Sequence, residues 1–228
     1  HHAYDGITFY NGLANGGERD RWGREISLSD DGYIMALSTI SWTYYQGMVV
    51  VMRYSEVNDE WTYFGSPINR ERATPQATTY WGSRIELSGD GKTIAIGSYT
   101  DDDGGSNTGG VYVFKYLQGD WHCVASYFET AQTEIYIAER NLAMSKDTST
   151  IITGSYRMDN SNITDAGHVV VLKLNDENHY GDGGNRYKWG LRFQDAKKTI
   201  ITNDEVITKS MILRNRDYSN MLHFNSNC

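Results

Sequence analysis

Hydrophobic and polar residues alternate along this chain in short bursts, with no sustained 3.6-residue period. Ile26 and Leu28, and again Ile85 and Leu87, occupy every second position among polar neighbours, the pattern of a half-buried strand. An Asp-Gly pair follows each time, Asp31-Gly32 and Asp90-Gly91, and this dipeptide favours the left-handed turn that joins two antiparallel strands. The pattern predicts a second strand through Met35-Ala36-Leu37, Ile94-Ala95-Ile96 and Ile151-Ile152-Thr153. After a polar loop comes a third strand, apolar at nearly every position: Met48 to Met52, Val111-Tyr112-Val113-Phe114 and Val169-Val170-Val171-Leu172. Continuous apolarity implies that both of its faces are covered. Each of these strands is preceded by a glycine (Gly47, Gly110, Gly167) and followed by a base (Arg53, Lys115, Lys173). A fourth strand is expected at Trp61-Thr62-Tyr63-Phe64 and at Trp121-His122-Cys123-Val124, each after an acidic turn.

These elements belong to an internal repeat. Trp22-Gly23-Arg24-Glu25-Ile26-Ser27-Leu28-Ser29-Asp30-Asp31-Gly32 aligns without a gap on Trp81-Gly82-Ser83-Arg84-Ile85-Glu86-Leu87-Ser88-Gly89-Asp90-Gly91. A third copy, from Ala138 to Thr148, keeps the phase but replaces the Trp and both glycines. A shortened fourth copy starts at Trp189-Gly190-Leu191-Arg192-Phe193 and resumes at Lys198-Thr199-Ile200-Ile201-Thr202. The starts are spaced by 59, 57 and 51 residues.

A four-stranded antiparallel unit recurring at this spacing and covered on both faces by its neighbours reads as a blade of an all-β β-propeller. The expectation is one domain, 1–228, of about four blades: 22–80, 81–137, 138–188, and 189–228 joined to 1–21. Gly6-Ile7-Thr8-Phe9-Tyr10 would then close the ring as an outer strand and hide two sheet edges. Met221-Leu222-His223-Phe224 falls in the same phase, so two segments compete for that slot.

The stretch from Trp81 to Gly97, with Gly109-Gly110-Val111-Tyr112-Val113-Phe114 and Asp120-Trp121, resembles the FG-GAP-type repeat of integrin-α-like propellers. The resemblance spans Trp22 to Lys173 well and the fourth copy poorly. It implies a propeller used for adhesion, ligand binding or assembly, on a cell or particle surface. Calcium-binding members of that family place an Asp/Asn-rich loop between the first two strands. Here that slot holds Ser29-Asp30-Asp31-Gly32, Ser88-Gly89-Asp90-Gly91 and Ser145-Lys146-Asp147-Thr148. Calcium takes six to eight oxygens, and a tight turn with one or two carboxylates does not wrap it, so the family's calcium sites are not carried over. No cofactor is expected.

Composition narrows the partners. The formal net charge of −8 argues against nucleic acid, whose binding rests on clustered Lys and Arg. The longest apolar run, Met48 to Met52, is too short to span a bilayer. Only Cys123 and Cys228 are present, which excludes a multi-disulfide framework. Cys123 reads as a small strand hydrophobe, and Cys228 as a free or intermolecular thiol. The chain opens on His1-His2-Ala3 without Met, which reads as a processed, trimmed or tagged start.

The loops between second and third strands should gather on one face of the ring. They carry Trp42, Tyr44 and Tyr45 in the first copy, Asp101-Asp102-Asp103 in the second, and Asp159, Asn160 and Asp165 in the third. Aromatic surface beside carboxylates and amides suits a protein or glycan partner. The plainer reading is solvated turns, and the Asp run also offers carboxylates to a cation. The tryptophans at fixed phase, Trp22, Trp61, Trp81, Trp121 and Trp189, are expected to pack. Asn162-Ile163-Thr164 is a glycosylation sequon. No Gly-x-Ser-x-Gly, His-Glu-x-x-His or Cys-x-x-Cys motif is present. The expectation is therefore a non-catalytic recognition or assembly module at a cell surface, in the extracellular space or on a larger particle. A carbohydrate-binding propeller is the alternative, and a propeller enzyme the third class.

Overall fold

The computed structural model describes residues 21–41, 45–70, 78–129, 132–159, 163–175, 192–193, 197–201 and 206–210. Three antiparallel sheets follow one another along the chain. The first has the order β1-β2-β3-β4, with β1 (Ile26–Leu28), β2 (Ile34–Thr39), β3 (Met48–Ser55) and β4 (Glu60–Tyr63). The second repeats it as β5-β6-β7-β8, with β5 (Trp81–Leu87), β6 (Thr93–Ser98), β7 (Gly110–Leu117) and β8 (Asp120–Phe128). The third contains β9 (Leu142–Met144), β10 (Thr150–Ser155), β11 (His168–Asn175), β12 (Arg192–Phe193), β13 (Lys197–Ile201) and β14 (Val206–Ser210). Its order is β14-β13-β11-β10-β9, and β12 also pairs with β11.

Among the described residues the strands expected from the alternation form, and one assignment shifts. The segment read as a fourth copy supplies strands to the third sheet: Leu174 pairs with Phe193, and Val169 to Val171 pair with Thr199 to Lys197. β13 thus takes the outer place that β4 and β8 hold. The third copy has no Trp-led fourth strand of its own, and the long edge of β11 pairs instead with the next apolar segment. The described residues show no fourth sheet. The ring-closing segments around Ile7 and Met221 lie outside the described residues.

Register fixes which side chains share a face. On the first sheet Ala36, Val49 and Val51 point forward, and on the second Ile85, Leu87, Ile94, Ile96 and Tyr112 point back to meet them in one buried cluster. The same relation recurs one sheet on. Ala95, Val111 and Val113 of the second sheet pack on Met144, Ile151, Val170 and Leu172 of the third. Each sheet therefore lays its forward face on the rear face of the next, as propeller blades do. β7 is buried on both faces between the first and third sheets, and β3 is buried on both as well, its Val49 and Val51 against the second sheet and its Met48 and Val50 in a separate cluster with Leu37 and Trp22; Val169 and Val171 of β11 are only half-buried. Trp81 and Trp121 are buried, and their indole Nε1 groups donate to Ile68 O (3.1 Å) and Phe64 O (2.6 Å) of the sheet before.

Main-chain hydrogen bonds tie each seam at both ends. At one end Asp30 N donates to Gly89 O (2.9 Å) and Gly89 N to Lys146 O (3.2 Å), linking the hairpin turns of the three sheets. At the other, the segment entering each inner strand runs parallel to the previous sheet's third strand. Trp81 N donates to Gln46 O (3.1 Å) and Ile137 N to Thr108 O (2.8 Å), with bridges Gly47 to Trp81 and Gly109 to Ile137. The glycine that matches Gly47 is thus Gly109 rather than Gly110. Both have positive φ, 82° and 75°.

Cys123 on β8 is disulfide-bonded, which replaces its reading as a plain strand hydrophobe. The chain's other cysteine, Cys228, lies outside the described residues.

Candidate functional site

The hairpin turns occupy the slot where the calcium-binding relatives carry their loop. All three are the same device, Ser-x-Asp-x. Ser29, Ser88 and Ser145 each donate Oγ–H to the aspartate two residues on, Asp31, Asp90 and Asp147, at 2.6 Å. Each serine Oγ accepts from the amide five residues on, Ile34, Thr93 and Thr150, at 2.9 Å. Each aspartate Oδ1 accepts the amide two residues further, Tyr33, Lys92 and Ser149, at 2.9 to 3.0 Å. The turn glycines Gly32 and Gly91 have φ of 74° and 67°, and Thr148 holds the same conformation at 63°. The carboxylates are consumed in shaping turns.

Those bonds hold the carboxyls in their charged form. The Ser29 hydroxyl and Tyr33 amide lower Asp31. Burial alone would raise Asp90, but the bonds from Ser88 and Lys92 outweigh it and lower it. Ser145 and Ser149 bring Asp147 to about 2. A lowered folded pKa means that the unfolded chain takes up protons first as pH falls. Stability from these turns is therefore complete above the ordinary value of 3.8 and is lost as pH falls from there toward 2. Acid titration followed by tryptophan fluorescence should show unfolding in that window. In Asp147→Asn the pH dependence between 4 and 2 should be shallower; an unchanged profile would refute this role.

The Asp101-Asp102-Asp103 run does not converge on one point. Asp101 is fully buried; its Oδ2 lies 2.7 Å from Arg70 Nη1 and accepts the Tyr112 hydroxyl at 2.9 Å. Asp103 pairs with the other Arg70 nitrogen, and the guanidinium lies 4.6 Å over the Tyr112 ring. Asp102 turns away and accepts Asn107 N–H at 2.7 Å. Arg70 comes from the loop after β4, so this group pins the first sheet to the second. The Arg70 guanidinium is itself the cation that Asp101 and Asp103 hold. Among the described residues no cluster of His, Cys, Asp or Glu has metal-ligand geometry.

On the loop side of the sheets the structure assembles a row of tyrosines. Tyr45 and Tyr80 have ring centroids 5.6 Å apart. Tyr80 stacks on Tyr99 at 4.7 Å with 19° between planes, and Tyr99 lies 6.3 Å from Tyr136. Arg157 sits 4.3 Å over Tyr136 and 5.2 Å over Tyr156, donates Nε–H to the Tyr156 hydroxyl at 3.0 Å, and is held by Glu139 at 3.4 Å. The row crosses both seams. Tyr45 and Tyr156 are the most exposed, at 41% and 47%, and the three between are half-buried. Tyr45, Tyr80 and Tyr136 all have positive φ, 68°, 49° and 54°, an unfavourable conformation for a bulky residue that clusters at functional sites. Burial, with the neighbouring Tyr80, pushes the Tyr99 hydroxyl up to about 12, so it remains a protonated donor at physiological pH.

Of the residues expected at this site, Tyr45 falls in the row. Asp159 and Asp165 are exposed in the third loop, where Asp159 accepts Gln132 Nε2–H (2.9 Å) and Asp165 N–H (2.7 Å). Trp42, Tyr44, Asn160 and Asn162 lie outside the described residues. Tyr80, Tyr99, Tyr136 and Tyr156 were not expected. A signal was available for two of them, because Gly97-Ser98-Tyr99 and Gly154-Ser155-Tyr156 recur at the same phase.

At the turn side a cleft of about 480 Å³ lies between the second and third sheets, lined by Lys92, Lys115, Lys146, Asp90 and Asp147 among others. Charges of both signs alternate there, and Lys146 is engaged by Asp30 at 2.8 Å. Among the described residues no helix is long and apolar enough to cross a membrane.

No curated protein sequence matches the chain. Among solved structures it is similar to a putative 6-phosphogluconolactonase from Bacteroides fragilis NCTC 9343, at 15% identity and TM-score 0.43 over 74% of this chain and 41% of that one. A second putative 6-phosphogluconolactonase, from Bacteroides uniformis ATCC 8492, gives 12% and 0.43 over 81% and 52%. Pyrococcus horikoshii acylaminoacyl peptidase gives 13% and 0.36 over 81% and 31%. The chain spans about half the length of these proteins or less. Residues 75–114, which run from the approach to β5 into β7, match the FG-GAP repeat, and the chain carries an FG-GAP-type repeat in its second sheet.

Proposed function

We propose that this chain is a non-catalytic recognition module that binds its partner on the loop side of its sheets. The tyrosine row carries this reading. It spans three sheets, its rings are fixed by one another and by Arg157, and its ends present open aromatic surface. Tyrosine provides large contact area and a hydrogen-bonding tip at low entropic cost, which suits a binding face. Support for a non-catalytic role comes from the carboxylates: Asp31, Asp90 and Asp147 shape turns, Asp101 and Asp103 hold Arg70, and Asp120 accepts Ser66 N–H at 2.7 Å. The disulfide at Cys123 fits an oxidising compartment, and so an extracellular or surface setting.

The partner is a protein or a glycan. The row of phenol hydroxyls favours the carbohydrate-binding alternative, because a glycan offers many hydroxyls to pair with them. Tyr45→Ala and Tyr156→Ala remove exposed rings and should leave Tm within about 2 °C, since exposed substitutions change stability little. Each should weaken binding at least about tenfold on a neutral oligosaccharide array or a panel of extracellular-matrix proteins, as a truncated aromatic anchor does. Binding to either panel that is indifferent to both substitutions would overturn the assignment of this face.

A further inference from the structure

We propose that the partner held at the tyrosine row is an acidic saccharide, with its sugar rings on the exposed tyrosines and its carboxylate or sulfate on the arginines beside them. This rests on the recognition face described above and names the class of ligand for it. Arginines converge there from all three sheets. Arg24 precedes β1, Arg84 lies in β5, Arg140 precedes β9, and Arg157 follows β10. Arg84 Nε donates to Arg140 O at 2.9 Å, so these groups meet across the sheets. Burial, Tyr80 and Glu139 raise the Tyr99 hydroxyl and Arg24 opposes them, which sets Arg24 and Glu139 beside the middle of the row. Two carboxylates answer the four guanidinium groups: Glu25 pairs with Arg84, and Glu139 lies 3.6 Å from Arg140 and 3.4 Å from Arg157. Among the described residues no carboxylate pairs with Arg24, and the Arg140 side chain is 67% exposed. A chain of net charge −8 thus keeps a local surplus of positive charge beside its open aromatic rings.

Arg157 is the group best placed to hold the acid. Tyr136 and Tyr156 fix its guanidinium, Nε and Nη2 are spent on the Tyr156 hydroxyl and Glu139, and Nη1 takes no hydrogen bond among the described residues. Its side chain is 38% exposed. A planar donor already fixed in position loses little freedom when it binds a carboxylate or sulfate, and a charge-assisted hydrogen bond is about twice as strong as a neutral one. Arg157 lies over part of Tyr156, and a sugar on the open remainder of that ring brings its substituents to the guanidinium. The row crosses both seams, which suits a chain of several sugars, and it offers ring surface and hydroxyls together. An acidic peptide would use the arginines and leave the phenol row unread.

Calorimetric titration of the 228-residue chain with an oligogalacturonate, a sulfated oligogalactose and the uncharged oligogalactose of the same length tests this. At least one of the acids should bind about tenfold or more tightly than the uncharged sugar, and the preference should shrink as sodium chloride rises. Arg157→Gln and Arg24→Gln should each lower the affinity for the acid about fivefold or more and change that for the uncharged sugar less than about twofold. Arg24 is exposed, so its loss leaves the fold intact. Tyr156→Ala should weaken the binding of both. Lys92→Gln removes a positive charge from the turn side, away from the row, and should leave every affinity unchanged. Equal affinity for acidic and uncharged sugars, both sensitive to Tyr156→Ala, overturns the acidic class and leaves the recognition face standing. An acid preference that survives both arginine substitutions also overturns it, as does an oligoglutamate that binds as tightly as the oligogalacturonate. Binding of none of the sugars overturns it together with the carbohydrate reading of the face.

Discussion

Asp101→Ala should destabilise the fold by about 3 kcal/mol, far more than the same change at its neighbour Asp102. Removing one member of a buried ion pair leaves the other charged and desolvated, and such changes cost roughly 3–5 kcal/mol. Arg70 would keep Asp103, whose side chain is 30% exposed, so the expected loss lies at the lower end of that range. Tyr112 would also lose the acceptor of its hydroxyl. Asp102→Ala forfeits only an exposed loop contact to Asn107 and should cost less than about 1 kcal/mol. Urea unfolding compares the two directly. The double change Asp101→Ala with Arg70→Met should recover much of the loss, because no uncompensated charge then remains. Equal, small effects at Asp101 and Asp102 would show that the Arg70 cluster does not join the sheets.

Gly109→Ala should be comparably severe, for a reason that lies in the backbone. At φ 75° an added Cβ would sit 2.5 Å from Ile137 O, 2.6 Å from Ile137 N and 2.9 Å from Tyr99 O. All three atoms are main chain, two of them in the parallel bridge between Gly109 and Ile137 and the third in the segment that leaves β6, so none can swing aside as a side chain would. Left-handed strain with a backbone clash costs on the order of 3 kcal/mol. Gly119→Ala isolates the conformational part. Its φ is 95°, nothing lies within 4 Å of the added atom, and about 1 kcal/mol is expected. Thermal unfolding of the two variants side by side should separate them by several degrees.

Much of the architecture was legible because each sheet is written in local chemistry. Period-two alternation, Asp-Gly turns and all-apolar third strands marked the strands of the first two sheets. What failed was pairing across distance. Lys198 to Ile201 read equally well as part of a new blade, and only the unpaired edge of β11 decides that β13 completes the third sheet. The binding face was read in part, and from its acidic and aromatic loops. Asp101 looked like a ligand because burial and the approach of Arg70, 31 residues earlier in the chain, leave no local trace. Tyr80 and Tyr136 escaped for a subtler reason. The inner strands align Trp81 with Ala138, but the bridges to Gly47 and Gly109 align Trp81 with Ile137. A one-residue slip at the irregularity in β5 between Trp81 and Arg84 puts the two tyrosines out of phase in any ungapped comparison.

The seams joined at both ends by main-chain hydrogen bonds bear on how such repeats diverge. An N–H or C=O is supplied by almost any residue, so the links Gly89 N to Lys146 O and Ile137 N to Thr108 O persist although the third copy has lost the tryptophan and both glycines of the first two. Selection on side chains can then relax at the joints and concentrate on the few positions where backbone meets backbone too closely for a Cβ. A repeat held in this way can drift in sequence until little of its motif remains while its sheets stay in register. It follows that the family signature matches residues 75–114 while the same hairpin-turn hydrogen bonds appear in all three sheets.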